Sequence, residues 1–375
     1  MENAPPPSPT STFPFLPLEL QIYILRLSAS PSLPSATAQA ELFSSVTYDL
    51  REDGDAAKAN DRLAEKTAGL RAIGVRAKRL TVQVDNGSEL VAGPSSSPWS
   101  MTLAEDNARV PDLRIEVSHA DGGSRLWLLE PISSLLSLPD LPSLTVVGPS
   151  TISRIPADQF LPTRNLTRLV LCHVGISGWF APDSFPSVRT LVVASVTQPV
   201  VPLREQWRRD FILPFPALES LAVCRMSLST PFHSAFTSAP PTLKHVVFEF
   251  NPDSERAVAP AGQRPFPISR PHFPLHRIPH PLEALTVVPG TFKARQASVL
   301  ADRLEEHSAA PCFSSLRRLK VPRAESWLDA DNAQEVADAQ RLVEWCARRG
   351  VELVRWTEEE EADWRVEEWR KEEDE

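Results

Sequence analysis

The sequence predicts an α/β fold: an irregular solenoid in which short parallel strands follow one another along the chain. Three observations predict it. A unit of the form L-x-x-L-x-V recurs eight times from about residue 75, usually introduced by proline or an aromatic residue. Helix candidates lie between several of these units, and strand-then-helix repetition implies a parallel sheet with helices on one face. No glycine-rich phosphate loop follows the first strand, as it would in a nucleotide-binding doubly wound sheet.

The elements can be taken in chain order. Residues 1–14 are rich in Pro, Ser and Thr and are expected to be disordered. Residues 16–28 (LPLELQIYILRLS) form a compact helix candidate. Pro17 suits a first helical turn, where its missing N–H is not needed. Glu19 favours the same turn through the helix dipole, and Pro31 and Pro34 end the helix. The strand units follow at Ala77/Leu80/Val82, Leu141/Leu144/Val146, Leu166/Leu169/Leu171 and Val188/Leu191/Val193, then at Leu218/Leu221/Val223, Leu243/Val246/Phe248, Leu282/Leu285/Val287 and Leu316/Leu319/Val321. The last two apolar positions of each are two apart and so share one face of a strand. The first anchors the turn into it.

Helices are predicted over residues 203–211, 232–239, 293–307 and 333–349. In the last, Val336, Ala339, Leu342, Val343 and Cys346 form the expected apolar stripe. Gly350 is placed to cap it in the left-handed conformation, and residues 351–354 supply a final strand. The domain organisation read this way is 1–14 disordered, 15–45 a helical segment, 46–356 the repeat domain and 357–375 an acidic tail.

Composition narrows the function classes. The formal charge is −9, and residues 357–375 alone hold eleven acidic and three basic side chains. The remainder is close to neutral and lacks the basic stripe that nucleic-acid binding needs. Prolines number 37 in 375 residues, roughly twice the ~5% of average usage, against only 13 glycines. That balance favours many short elements with stiff connections. The four cysteines, Cys172, Cys224, Cys312 and Cys346, form no CxxC pair and read as buried small hydrophobes in a reducing compartment. The N-terminus carries neither the basic region nor the apolar run of a secretory signal, and no stretch is apolar enough to span a bilayer. A cytoplasmic or nuclear protein without membrane association is expected.

No GxSxG, HExxH, Walker loop or GxGxxG is present, so no catalytic residue, cofactor or metal is assigned and the chain is read as non-enzymatic. His272, His276 and His280 have a four-residue spacing, but the prolines of RPHFPLHRIPHP forbid the helix that would align them. An exposed loop over 251–281 is expected instead, and His173 and His245 read as satisfied surface histidines. In each unit the residue before the last apolar position points away from the core. These are Val170, Val192, Ala222 and Val247, then Lys320 beside Arg317, Arg318 and Arg323. The expected partner-binding surface is thus apolar at its centre and basic at one end, with Arg318 and Lys320 at that end.

Leu16, Pro17, Glu19, Leu20, Ile24 and Leu25 match the opening of an F-box, which runs Leu-Pro, x-Glu-Leu, Ile-Leu. With the strand units that follow, the chain resembles the F-box/leucine-rich-repeat family of the kind expanded in fungi, with a shortened F-box closed early by Pro31 and Pro34. The resemblance implies a substrate-recognition subunit of a cullin–RING (SCF-type) ubiquitin ligase. It implies that Leu16, Pro17, Leu20, Ile24, Leu25 and Leu27 bind the Skp-type adaptor, while the repeats select a protein substrate. The helix itself is compatible. Leu16, Leu20, Ile24 and Leu27 form one stripe and Leu18, Ile22 and Leu25 a second, so it must be buried on two sides. Burying the first four is worth roughly 6–12 kcal/mol before entropic costs. The alternative is a repeat scaffold for protein binding with no ubiquitin-ligase role. The acidic tail, with Trp364 and Trp369, reads as a solvated helix or a disordered end; the alternative is that it folds back onto the basic residues at 317–323 and competes with a ligand there.

Overall fold

A computed structural model describes residues 45–49, 79–85, 112–118, 141–148, 154–156, 165–177, 184–194, 215–224, 236–249, 274–288, 292, 294–323 and 332–361. It divides into two compact units, Met1–Pro149 and Ser150–Glu375. Among the described residues the architecture is α/β, with all-parallel strand pairing and few helices. The helix candidates at 16–28 and 203–211 lie outside the described residues.

In the first unit, β1 (Ser45–Asp49), β2 (Arg79–Asp85), β3 (Asp112–Ser118) and β4 (Ser143–Val147) pair in chain order, each parallel to the next. Leu113, Ile115, Leu144 and Val146 bury one face. The opposite face is polar and stitched across the strands. Asp112 accepts from Arg79 at 2.8 Å and from Ser143 at 2.8 Å, and Gln83 donates to Glu116 at 2.7 Å. Arg114 pairs with Glu116 two residues along the same strand, at 2.5 Å. β1 and β3 were not expected from the repeat unit. In β3 the alternation Asp-Leu-Arg-Ile-Glu-Val puts a polar residue at every other position, so its apolar content is low although its spacing is right.

In the second unit two short strands, β5 (Arg154–Pro156) and β7 (Gly175–Ser177), pair parallel in a separate ribbon. The main sheet of this unit carries β6 (Arg168–Cys172), β8 (Thr190–Ala194), β9 (Ser220–Cys224), β10 (His245–Phe248), β11 (Ala284–Val287), β12 (Arg318–Val321) and β13 (Glu352–Arg355), again paired in chain order and all parallel. Every expected strand unit that falls in this unit is a strand. Leu169, Leu171, Leu191, Val193, Leu221, Val246, Leu285, Val287, Leu319 and Val321 form the buried face. Each such side chain contributes about 1.5–3 kcal/mol through apolar area removed from water.

The lead-ins to β8, β9, β10 and β12 are turns of one recurring construction. The N–H of Val188 donates to Phe185, Leu218 to Phe215, Leu243 to Pro240 and Leu316 to Phe313, each three residues back. Phe185 and Phe215, from successive lead-ins, are fully buried and stack face to face with centroids 5.0 Å apart and planes at 5°. One carbonyl per lead-in then accepts two successive N–H groups of the next strand's start. Thr167 takes Arg189 and Thr190, Arg189 takes Glu219 and Ser220, Glu219 takes Lys244 and His245, Lys244 takes Glu283 and Ala284, and Glu283 takes Arg317 and Arg318. The side chains at this edge alternate in sign along the stack: Arg189, Glu219, Lys244, Glu283, Arg317. Ion pairs join Arg189 to Glu219 at 3.4 Å and Lys244 to Glu283 at 3.2 Å, and one position further on Arg318 to Glu352 at 3.0 Å. All are water-exposed, so each is worth about 0–1 kcal/mol. Their consequence is register rather than stability.

Helix α1 (Ala294–Glu306) follows β11, and α2 (Ala333–Arg349) follows β12. Ala294, Ala297, Leu300, Ala301 and Leu304 bury the inner stripe of α1. The two helices are joined by polar contacts on the rim: Arg341 to Ser298 at 2.8 Å and to Asp302, and Arg348 to Glu305 at 3.4 Å. α2 starts where expected, its Asn332 cap accepting from the N–H groups of Gln334 and Glu335. It ends at Gly350, with φ at 66° and the Val351 N–H bonded to Cys346 at 2.9 Å.

Its buried stripe differs from the expected one. Ala339, Leu342, Trp345 and Cys346 are inside, while Val336 and Val343 are 44% and 39% exposed. Trp345 is the largest apolar side chain available, and the rotation that buries it turns the two valines outward. Residues 236–239 of the candidate helix at 232–239 form a turn. The expected exposed loop over 251–281 ends in a short 3-10 helix at Pro274–Arg277, with Leu275 and Ile278 buried.

Candidate partner-binding face

The strand face opposite the apolar core holds the expected partner residues. Val170 pairs in register with Val192, Val192 with Ala222, Ala222 with Val247, Val247 with Thr286, Thr286 with Lys320 and Lys320 with Val354. Val170, Val192, Ala222, Val247 and Lys320 therefore lie in one unbroken row across the second unit. Arg318, two residues before Lys320 on the same face, sits in the adjacent row with Thr190, Ser220 and His245.

The row is not the open apolar patch the sequence suggested. Val170, Val192, Ala222 and Val247 are only 4%, 8%, 5% and 9% exposed. Strands about 4.8 Å apart crowd such short side chains on both sides. What reaches solvent more readily is the polar part of the face. His245 is half-buried, its Nε2 2.8 Å from Thr286 Oγ1 and its Nδ1 3.4 Å from Ser220 Oγ. Burial, then the positive charges of Lys320 and Arg318, hold its pKa below the usual imidazole range. The ring thus links three strands as a neutral hydrogen-bonding bridge.

The basic end of the face is occupied. Trp356, just after β13, is buried and donates from Nε1 to the Val287 carbonyl at 3.0 Å. The Lys320 ammonium lies over its ring, 4.4 Å from the centroid. Beyond Trp356 the chain opens a helical turn through a capping box. The Thr357 N–H donates to Glu360 at 2.8 Å, and the Glu360 N–H donates back to Thr357 Oγ1 at 3.1 Å. This brings the first tail carboxylates onto the basic residues. Glu360 meets Lys320 at 2.6 Å, Glu358 meets Arg323 at 3.1 Å, and buried Glu361 accepts from the Arg323 backbone N–H at 2.8 Å. The hydrogen bond from Lys320, then that from the Thr357 N–H, lowers the Glu360 pKa. Residues 357–361 are thus neither solvated on all sides nor disordered but lie back against Lys320 and Arg323, as the alternative reading of the tail has it. Trp364 and Trp369 lie outside the described residues.

The remaining candidates resolve simply. Leu16, Pro17, Leu20, Ile24, Leu25 and Leu27 lie outside the described residues. All four cysteines are buried and free, and burial pushes the thiols of Cys312 and Cys346 up to about 12 and about 11. His173 is buried rather than on the surface. It takes a left-handed φ of 52°, with its N–H bonded to the Ala194 carbonyl at 2.9 Å. His276 stacks on His307 at 4.2 Å, and His280 bonds the Ala239 carbonyl at 3.1 Å. Among the described residues no three His, Cys, Asp or Glu side chains are grouped to hold a metal ion, and no helix is long and apolar enough to cross a membrane.

Sequence reasoning missed three members of the face: Thr286, His245 as a cross-strand bridge, and Trp356. Thr286 was signalled by its place in the unit, one residue before Val287. Nothing in the local sequence marked Trp356 as the support for Lys320. Compared with known proteins, the chain matches no family model and no curated protein.

Proposed function

We propose that this protein is a protein-interaction module, an irregular leucine-rich-repeat-like solenoid that acts as a substrate-recognition subunit of an SCF-type ubiquitin ligase. The observation that carries the interaction half is the second unit's strand order. Seven parallel strands follow chain order, four of them (β8, β9, β10 and β12) entered by the same kind of turn, and they align one residue per strand into a continuous row. Such a row suits a partner that lies across several strands. The basic end of the face and the bridging His245 give it polar points of recognition.

The adaptor half is supported by the F-box-like residues Leu16, Pro17, Leu20, Ile24, Leu25 and Leu27. A segment apolar on two sides needs more cover than its own few turns supply. Catalysis would then lie with the other subunits, and this chain would act by holding a substrate near them.

Co-purification with a Skp-type adaptor tests the reading. The full chain is expected to retain the adaptor, and the double variant Leu20→Asp, Ile24→Asp to lose it. Retention by the variant would remove the helix as the docking surface. Failure of the unaltered chain to bind would leave the second reading, a protein-binding scaffold outside the ubiquitin system, which the early Pro31 and Pro34 favour.

A further inference from the structure

We infer that Lys320 and Arg323 form a docking site for an acidic peptide segment of a partner protein, and that residues 357–361 of this chain occupy it as a displaceable internal ligand. The inference rests on the protein-interaction reading above but not on the adaptor.

Three features carry it. The site is built before the tail reaches it. Lys320 is fixed by Trp356, which is itself anchored to the Val287 carbonyl, and neither contact involves residues 357–361. Its chemistry selects carboxylates at close spacing, because a point-charge ammonium, a guanidinium and a backbone N–H converge on Glu358, Glu360 and Glu361. Third, the occupant is held unevenly. Glu361 is buried, but the Glu358 side chain is 86% and that of Glu360 45% exposed. Ion pairs that open to water contribute little. What favours the internal occupant is its tether to β13, which keeps it at a local concentration on the order of millimolar. A partner carrying a denser run of carboxylates, presented on a larger surface, would compete at this end of the row.

The probe is a fluorescently labelled peptide of residues 357–375, titrated into the full chain and followed by anisotropy. The unaltered chain should bind it weakly. The full-length variant Glu358→Gln, Glu360→Gln should bind it at least about tenfold more tightly; the second change keeps a side-chain oxygen able to close the capping box. Added salt should erase the gain, and Lys320→Gln with Arg323→Gln should abolish it. Equal affinity of the two chains within about twofold, or a gain that survives loss of Lys320 and Arg323, would overturn the inference. If the double variant does not fold, hydrogen exchange on the unaltered protein decides. Excess peptide should speed exchange at the Thr357, Glu360 and Glu361 amides while the Arg323 amide stays protected by the incoming carboxylate, and unchanged exchange at the first three counts against the site. A negative result here alongside successful adaptor capture would remove this site alone.

Discussion

The stacked pair Phe185 and Phe215 offers a direct measure of whether successive strand lead-ins support one another. The rings are fully buried and 5.0 Å apart, and each sits three residues before the residue whose N–H closes its own turn. Replacing either by leucine keeps most of the apolar area but leaves part of the ring volume empty, and should cost roughly 1–3 kcal/mol. Part of that cost is the ring–ring term, about 0.5–1.5 kcal/mol for a buried aromatic pair. Either single substitution removes the whole of that term, and the double removes it only once. The double variant should therefore fall short of the sum of the singles by about 0.5–1.5 kcal/mol. Urea denaturation followed by far-UV circular dichroism on the four proteins closes the cycle. Additivity within about 0.3 kcal/mol would mean the rings do not touch, and with that the packing of one lead-in on the next would be lost.

Other consequences can be measured with the same assay. His245 has a lowered pKa in the folded chain, so as pH falls through about 6.5 the unfolded state takes up the proton first and stability drops, while above that value the neutral ring's contribution is complete. His245→Gln should lose less stability between about pH 7.5 and about pH 5.5 than the unaltered chain, and equal losses would discard the bridge as the cause. Gly350 has φ at 66° with open space where a Cβ would sit, so Gly350→Ala should cost about 1 kcal/mol from backbone strain alone and Gly350→Asn markedly less; equal costs would point to something other than φ. Asn332→Ala leaves the Gln334 and Glu335 N–H groups without their cap and should cost about 1 kcal/mol, with Asn332→Asp close to neutral. A loss below about 0.3 kcal/mol would show that the first turn of α2 is held from elsewhere.

Much of the second unit was legible because its strands depend on local chemistry. A proline or aromatic lead-in, an anchoring apolar residue and two more at strand spacing suffice to mark a buried parallel strand, and each such segment in this unit is one. β3 escaped although Val110, Leu113 and Ile115 have the unit's spacing and its polar alternation is that of β2, which was recognised; β1 keeps that spacing around Val46 too, but with the aromatic Phe43 and Tyr48 at its first and last positions. The stripe of α2 was misjudged at Val336 and Val343 because helical spacing alone does not say which of two overlapping faces turns inward. The bulk of Trp345 decides it. In the partner face, the row residues followed from strand alternation, but their burial did not. Exposure depends on what surrounds a strand, whereas alternation depends only on the strand. The support of Lys320 by Trp356 joins residues 36 positions apart across two neighbouring strands, and no local pattern encodes it.

The alternating signs at the strand entrances carry a rule about how this stack can change length. Deleting one strand with its lead-in, for instance the one entered through Lys244, would seat Glu219 directly beside Glu283, two carboxylates where a carboxylate and an ammonium now meet. Removing two consecutive strands with their lead-ins restores the alternation. Losing or gaining strands by twos should therefore avoid a like-charge contact that losing or gaining one creates, a difference of about 1 kcal/mol or less at this exposed edge.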